Sequence, residues 1–258
     1  ITQPTPATQT IVAGSNATIT VVAGGDPTLT YQWRLNGTNL PGANAATLTL
    51  VNVQTNQLGL YSVVVSNPFG SVTSSNATLD VKAAPFIVTQ PQSGHPQSLT
   101  VLQGSPAAFS VTVGGDGPFA YQWRFGGISI AGATNSSFGL GAAFPTNAGL
   151  YSVVITSPYG SVTSSNATLT VNVPPFIITQ PTPATQTVVA GTTPTIAVVA
   201  GGDPTLTYQW RLNGVNIPGA NAATLSLVNV QTNQLGLYSV VVSNPFGSVT
   251  SSNATLDV

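Results

Sequence analysis

The segment LGLYSVVVSNPFGSVTSSNATLDV occupies residues 58–81 and recurs letter for letter at residues 235–258, with a variant, AGLYSVVITSPYGSVTSSNATLTV, at residues 148–171. Its period is two. Tyr61, Val63 and Val65 alternate with Ser62, Val64 and Ser66, the spacing of a half-buried β-strand. Asn67-Pro68-Phe69-Gly70 then breaks the strand. Pro pre-sets the backbone for a type I turn and Gly takes the left-handed position after it, so the two flanks read as a hairpin.

Working outward, the motif YQWR recurs around Trp33, Trp123 and Trp210, and Tyr61, Tyr151 and Tyr238 repeat at the same intervals of 90 and 87 residues. The intervals differ because the second copy carries three extra residues in VTQPQSGHPQSLTVLQG relative to ITQPTPATQTIVAG. Copies one and three differ at eight of 81 aligned positions, so the order A, B, A is that of a slice through a tandem array. Three domains are expected at residues 1–82, 86–172 and 176–258, with short Pro-containing linkers at 82–86 and 172–176. Proline fixes the backbone torsion and lacks a donor, so these linkers are expected to be semi-rigid.

Within the first copy, residues 17–23, 29–35, 46–50, 60–66 and 71–81 are rich in β-branched and aromatic residues and are bounded by Gly, Pro and Asn. GGDP at residues 24–27 and Asn36-Gly37 are further breaks. No capped, helix-length amphipathic window occurs. The chain reads as all-β, with the regularly spaced turns of a β-sandwich.

Each copy resembles an immunoglobulin-like domain of the I-set kind, and more narrowly the cysteine-free form repeated in large secreted bacterial proteins. The likeness rests on a Gly before the second strand, GGDP followed by YQW, NQLGLYSV or TNAGLYSV at the corner, and the closing GSVTSSNATL. It implies three tandem immunoglobulin-like β-sandwich domains arranged head to tail. In the first copy it places strand A at 1–12, B at 17–23, C at 29–35, E at 46–51, F at 60–66 and G at 71–81.

Strand parity puts Trp33, Trp123 and Trp210 on the inward face of strand C, with Tyr31 and Leu35 in the first copy, so they read as core residues against the alternative of ligand-stacking platforms, and Tyr61, Tyr151 and Tyr238 read as the corner tyrosines. Where the family's disulfide would join strands B and F stand Val21 and Val63, Val111 and Val153, Val198 and Val240. Losing a native disulfide costs about 2–5 kcal/mol. A buried Val returns roughly 1.5–3 kcal/mol, so packing offsets much of the missing bridge. Gln57, Asn147 and Gln234 stand where many relatives carry Asp, so a buried charge pair is not expected there.

Composition excludes several functions. Nine residues are formally charged, against about a quarter of an ordinary soluble domain, and the net charge is −1. Four scattered basic residues make no electrostatic footprint for nucleic acid. Cysteine and methionine are absent, which removes thiolate chemistry and reads as a processed product or a segment of something longer. Thr, Ser and Gly interrupt every apolar run, so no membrane insertion is expected in this segment. A metal or other cofactor is not expected. His95 is the single histidine, read as an exposed loop residue, and the aspartates come singly. No catalytic set repeats across the copies, so the chain is not read as an enzyme. Lys82, the single lysine, is placed in a linker and rules out an internal Lys-Asn isopeptide bond. Six Asn-X-Ser/Thr sequons begin at Asn16, Asn36, Asn76, Asn135, Asn166 and Asn253 and are glycan sites only in a host with the machinery.

What remains to be explained lies between the copies. Arg34 is expected to approach Asp116, and Arg124 to approach Asp203, with an Arg lying over Ser62 or reaching Asp80 as the alternative. Tyr159 is expected near Pro85 and Phe86, and Phe246 near Pro175 and Phe176, with Phe69 left in need of a preceding domain or a neighbouring chain. These joints suit a structural segment of an extracellular or cell-surface fibre or stalk whose partners are other copies of the repeat. The rivals are an adhesin that binds surface polysaccharide through Gln32, Arg34, Ser62, Val64 and Ser66, and a set of spacers in a larger secreted enzyme.

Overall fold

The computed structural model describes residues 1–26, 28–92 and 98–257. His95, Pro27 and Val258 lie outside the described residues, and with them the expectation that His95 sits exposed in a loop. The chain divides into two compact units, one of residues 1–91, 110–137 and 152–165 and the other of residues 92–109, 138–151 and 166–258. The division runs through the second repeat, so each junction between repeats lies whole within one unit.

In the first unit, the first repeat folds as β1 (Thr8–Val12), β2 (Ala17–Thr20), β3 (Thr30–Leu35), β4 (Thr38–Asn39), β5 (Thr47–Leu50), β6 (Gly59–Asn67), β7 (Gly70–Thr73) and β8 (Ala77–Lys82). One sheet runs β1-β8-β6-β3-β4 with β7 paired to β6, and β2 pairs with β5. The inward residues of both meet in one core, where Val21, Trp33, Val63 and Leu79 are buried together and Tyr31 and Leu35 pack against them. Trp33 is opposite Val63 in register, and its indole N–H donates to the Ala45 carbonyl at 2.9 Å. Burial of so large a ring requires that partner for its one polar atom.

Two expected strands are divided. Strand A is expected from the sequence to run unbroken over residues 1–12. Thr2 and Thr5 instead bond to Val22 and Thr20, and only Thr8–Val12 forms a strand, parallel to β8. Pro4 and Pro6 supply no N–H, so the ladder cannot continue through them and the chain crosses between sheets there. Strand G, expected over residues 71–81, breaks at residues 74–76. There the Ser74 hydroxyl accepts from the Val63 N–H at 3.0 Å and donates to the Ser75 carbonyl at 2.8 Å. A side chain has replaced a backbone partner in the ladder. The short β4 beside β3 has no counterpart among the expected strands.

The second repeat keeps the same local pairings. Within the first unit, Ala120–Phe125 pairs with Ile128–Ser129, and the Trp123 indole donates to the Asn135 carbonyl. Within the second unit, Ser98–Leu102 runs parallel to Ala167–Asn172. The third repeat, also in the second unit, pairs Thr207–Leu212 with Gly236–Asn244 so that Trp210 opposes Val240, and Trp210 donates to the Ala222 carbonyl. All three tryptophans have zero exposure, and Val111, Val153, Val198 and Val240 are buried as Val21 and Val63 are.

The corner tyrosines are buried as well, and each hydroxyl donates to a carbonyl four residues earlier: Tyr61 to Gln57, Tyr151 to Asn147 and Tyr238 to Gln234. Burial raises all three phenol pKa values above the usual 10.0. The unfolded chain therefore ionises first. The stabilisation is complete below pH 10 and is lost as the pH climbs through the raised folded-state values. Thermal melts are expected to show a falling midpoint above pH 10. Tyr61→Phe is expected to reduce that slope and to cost about 1 kcal/mol at neutral pH through the lost hydrogen bond. An unchanged alkaline limb would show that Tyr61 does not contribute to it.

Candidate functional site at the repeat junctions

The first repeat's last strand, β8, ends at Lys82, which pairs with Val12. Lys82 is thus a strand residue and not a linker residue as expected, because the β1 ladder reaches it. Its Nζ lies 3.2 Å from Asp80. That contact raises the lysine pKa, with smaller contributions from Asp116 and Tyr159 of the second repeat. Ala83, Ala84 and Pro85 follow, and β9 (Phe86–Gln92) opens the second repeat.

This linker is held by its backbone. The Ala83 N–H donates to Asp116 Oδ2 at 2.7 Å, and the Asp116 N–H donates back to the Ala83 carbonyl at 2.9 Å. A carboxylate acceptor makes the first bond charge-assisted, about twice the strength of a neutral one. Pro85 has no N–H to satisfy. The Phe86 ring lies across Gly114, in the space a Cβ there would need, and the Ala84 carbonyl lies only 2.5 Å from where a Cβ on Gly115 would stand. GGD is therefore a fitted unit: two residues without side chains admit the linker and the third binds it.

The second junction repeats the arrangement with different linker residues. The Val173 N–H donates to Asp203 Oδ2 at 2.7 Å, and the Asp203 N–H donates to the Val173 carbonyl at 3.0 Å. Phe176 lies across Gly201, and the Pro174 carbonyl faces Gly202. Asn244 Nδ2 adds a bond to the Val173 carbonyl at 2.9 Å. Ser157 stands in the equivalent place of the second repeat.

The turn-tip aromatics divide accordingly. Tyr159 and Phe246 are half-buried. The neighbouring Gly160 and Gly247 lie against Ala84–Pro85 and Pro174–Pro175 respectively. Phe69 is 82% exposed.

Within the first unit, the expected pair of Arg34 with Asp116 does not form. Lys82–Asp80 is the one ion pair among the described residues. The Asp116 and Asp203 carboxylates are taken by linker N–H groups. Arg34 Nε donates instead to Asn39 Oδ1 at 2.9 Å, and Arg211 Nε to Asn216 Oδ1 at 2.9 Å. In the second repeat Ser129 opposes Arg124, its side chain is shorter, and Arg124 Nε is buried with no hydrogen-bond partner among the described residues. Ser129→Asn is expected to restore that bond and stabilise the second repeat by roughly 1–2 kcal/mol, since a buried unpaired donor carries a desolvation penalty. Urea denaturation measures this. A variant no more stable than the parent would mean that Arg124 already has adequate solvation.

The face expected to bind polysaccharide is largely committed to the fold. Gln32 Nε2 donates to the Trp33 and Leu40 carbonyls, Arg34 is tied to Asn39, and Ser62 is buried despite its outward position. Val64 and Ser66 are half-buried. Among the described residues, no three His, Cys, Asp or Glu side chains gather into a metal site. The clefts of about 330 and 320 Å³ beside Leu40–Leu50 and Ile217–Val228 have no ionisable lining residue. Sequence reasoning misses Asn244 and the linker backbone at Ala83 and Val173. It finds Asp116 and Asp203 but gives them the wrong partners.

The immunoglobulin domain family matches residues 1–67 and 174–244, and the chain belongs to that family as a set of tandem immunoglobulin-like β-sandwich domains. The muscle M-line assembly protein unc-89 of Caenorhabditis elegans is 32% identical over 253 residues, covering 86% of this chain and 3% of that protein. Mouse hemicentin-2 is 27% identical over 214 residues, covering 78% of this chain and 4% of its own length. The chain thus spans a few per cent of the length of these animal relatives. In fold it is similar to an I-band fragment of titin, with a TM-score of 0.78 at 20% identity over 99% of this chain and 96% of that one.

Proposed function

We propose that this chain is a structural segment of an extracellular or cell-surface fibre or stalk, with domains at residues 1–82, 86–172 and 176–258 and with other copies of the repeat as its partners. The observation that carries the reading is the reciprocal bonding of Asp116 with Ala83 and of Asp203 with Val173. The same lock closes both junctions although the linker residues differ, so the joint is itself a repeated feature of the chain. The likeness to a muscle M-line assembly protein agrees with a structural role. The absence of cysteine, with valine pairs at the bridge positions, agrees with the disulfide-free form of the repeat.

Electron microscopy of the native material tests this. Beaded rods with a constant spacing of roughly 40 Å, about one ten-residue strand plus its loops, are expected. Particles with freely variable angles between beads would overturn the stalk reading.

A further inference from the structure

At the end of the first repeat that is equivalent to the two junctions, the same residues recur. Gly24, Gly25 and Asp26 correspond to Gly114, Gly115 and Asp116 and to Gly201, Gly202 and Asp203. A Cβ on Gly24 would meet nothing within 4 Å, where its counterparts would meet the Phe86 and Phe176 rings. A Cβ on Gly25 would have no neighbour nearer than 3.7 Å, and one on Gly70 none within 4 Å, although Gly160 and Gly247 face linker atoms. Asp26 is exposed, and no hydrogen bond to its carboxylate is found among the described residues. Asn67 makes the turn bond that Asn244 makes, accepting from the Phe69 N–H at 3.0 Å. Its amide nitrogen, which in Asn244 reaches the linker carbonyl, has no partner among the described residues. Beside Gly24, Asn67 and Gly70 lies an open cleft of about 240 Å³ lined in part by Ile1, Leu29, Phe69 and Val72.

We propose that this cleft is a docking socket for the Val-Pro-Pro-Phe end of another repeat of the same kind. The occupant follows from the two filled copies of the site. Its first residue gives an N–H to Asp26 and a carbonyl to Asn67, its prolines cover Gly70, and its phenylalanine ring lies over Gly24. Phe69 then becomes half-buried like Phe246. The lining sets apolar Ile1, Leu29, Phe69 and Val72 beside polar Ser66, Asn67 and Ser71, which suits a segment with apolar side chains and free backbone groups. The inference rests on reading the junctions as repeated joints. It can fail alone, because a beaded array in which this socket stays empty leaves the stalk reading intact.

The test adds six residues with the sequence of residues 172–177 directly before Ile1, in the register that Ile178 holds in the third repeat. Hydrogen exchange of the Asp26 amide is expected to slow by at least about tenfold, the effect of one charge-assisted bond and its neighbours. Asp26→Ala is expected to abolish that gain in the extended chain and to change nothing measurable in the parent chain, where Asp26 has no partner to lose. Circular dichroism of both chains is the control, expected to match the parent, which keeps the comparison independent of folding failure. An extended chain without added protection, or one whose protection survives Asp26→Ala, overturns the proposal. So does self-association of the unextended chain that Phe69→Ser removes, because the cleft would then be a surface between whole chains.

Discussion

Trp33→Ala is expected to destabilise the first repeat by about 3–5 kcal/mol, the usual cost of removing a large buried ring. The ring has zero exposure and sits among Val21, Val63 and Leu79. Deleting it removes hydrophobic transfer energy and leaves a cavity that two hydrogen-bonded sheets cannot collapse around. It also strands the Ala45 carbonyl, which accepts the indole proton. A domain of about 80 residues has a total stability of about 4–12 kcal/mol, so the loss takes a large share of it. No disulfide stands behind the core, since the bridge positions hold valine. Urea denaturation should show the first repeat unfolding well before the third, whose equivalent Trp210 is intact. A loss below about 1 kcal/mol would mean that the core does not depend on this ring.

The core is legible because its information lies in side chains at fixed spacing. Parity along YQWR and LYSVVVS assigns each residue to a face, and the faces assigned inward are those buried at Trp33, Tyr61 and Val63. Parity does not report what covers an outward residue, which is why Ser62 reads as accessible from its position alone. The tertiary crossing of the first strand is also hidden, since Pro4 and Pro6 mark a break without saying which sheet the chain joins next.

The junctions are half legible for a different reason. The sequence shows where aspartates and arginines are, and in a chain with nine charged residues it is natural to pair them. The partners that Asp116 and Asp203 take are backbone N–H groups, which every residue except proline carries and which no letter distinguishes. A sequence signal is nonetheless present. GGD precedes each YQW, and two adjacent residues without side chains before a carboxylate are more consistent with a close backbone approach than with a long arginine reaching in. The turn-tip aromatics follow the same logic: Tyr159 and Phe246 are half-buried beside the linkers.

Gly115→Val is expected to detach the first junction while leaving the repeats folded. Two costs add. Gly115 has φ +105°, a conformation that β-branched residues avoid, and the new Cβ would stand 2.5 Å from the Ala84 carbonyl oxygen and 3.0 Å from its carbon. The backbone term amounts to about 1–3 kcal/mol. The overlap with main-chain atoms cannot be relieved by rotating a side chain, so the linker itself must move. Moving it breaks the Ala83–Asp116 pair, whose two bonds together are worth about 2–4 kcal/mol. Gly25→Val is the control. It carries a backbone penalty of its own at φ +146° but has no neighbour nearer than 3.7 Å. Hydrogen exchange should show the Ala83 and Asp116 amides losing protection in Gly115→Val and keeping it in Gly25→Val, with the strand amides around Trp123 unchanged in both. Equal behaviour of the two variants would mean that the glycine serves only its own turn and that the junction does not depend on close contact with the linker.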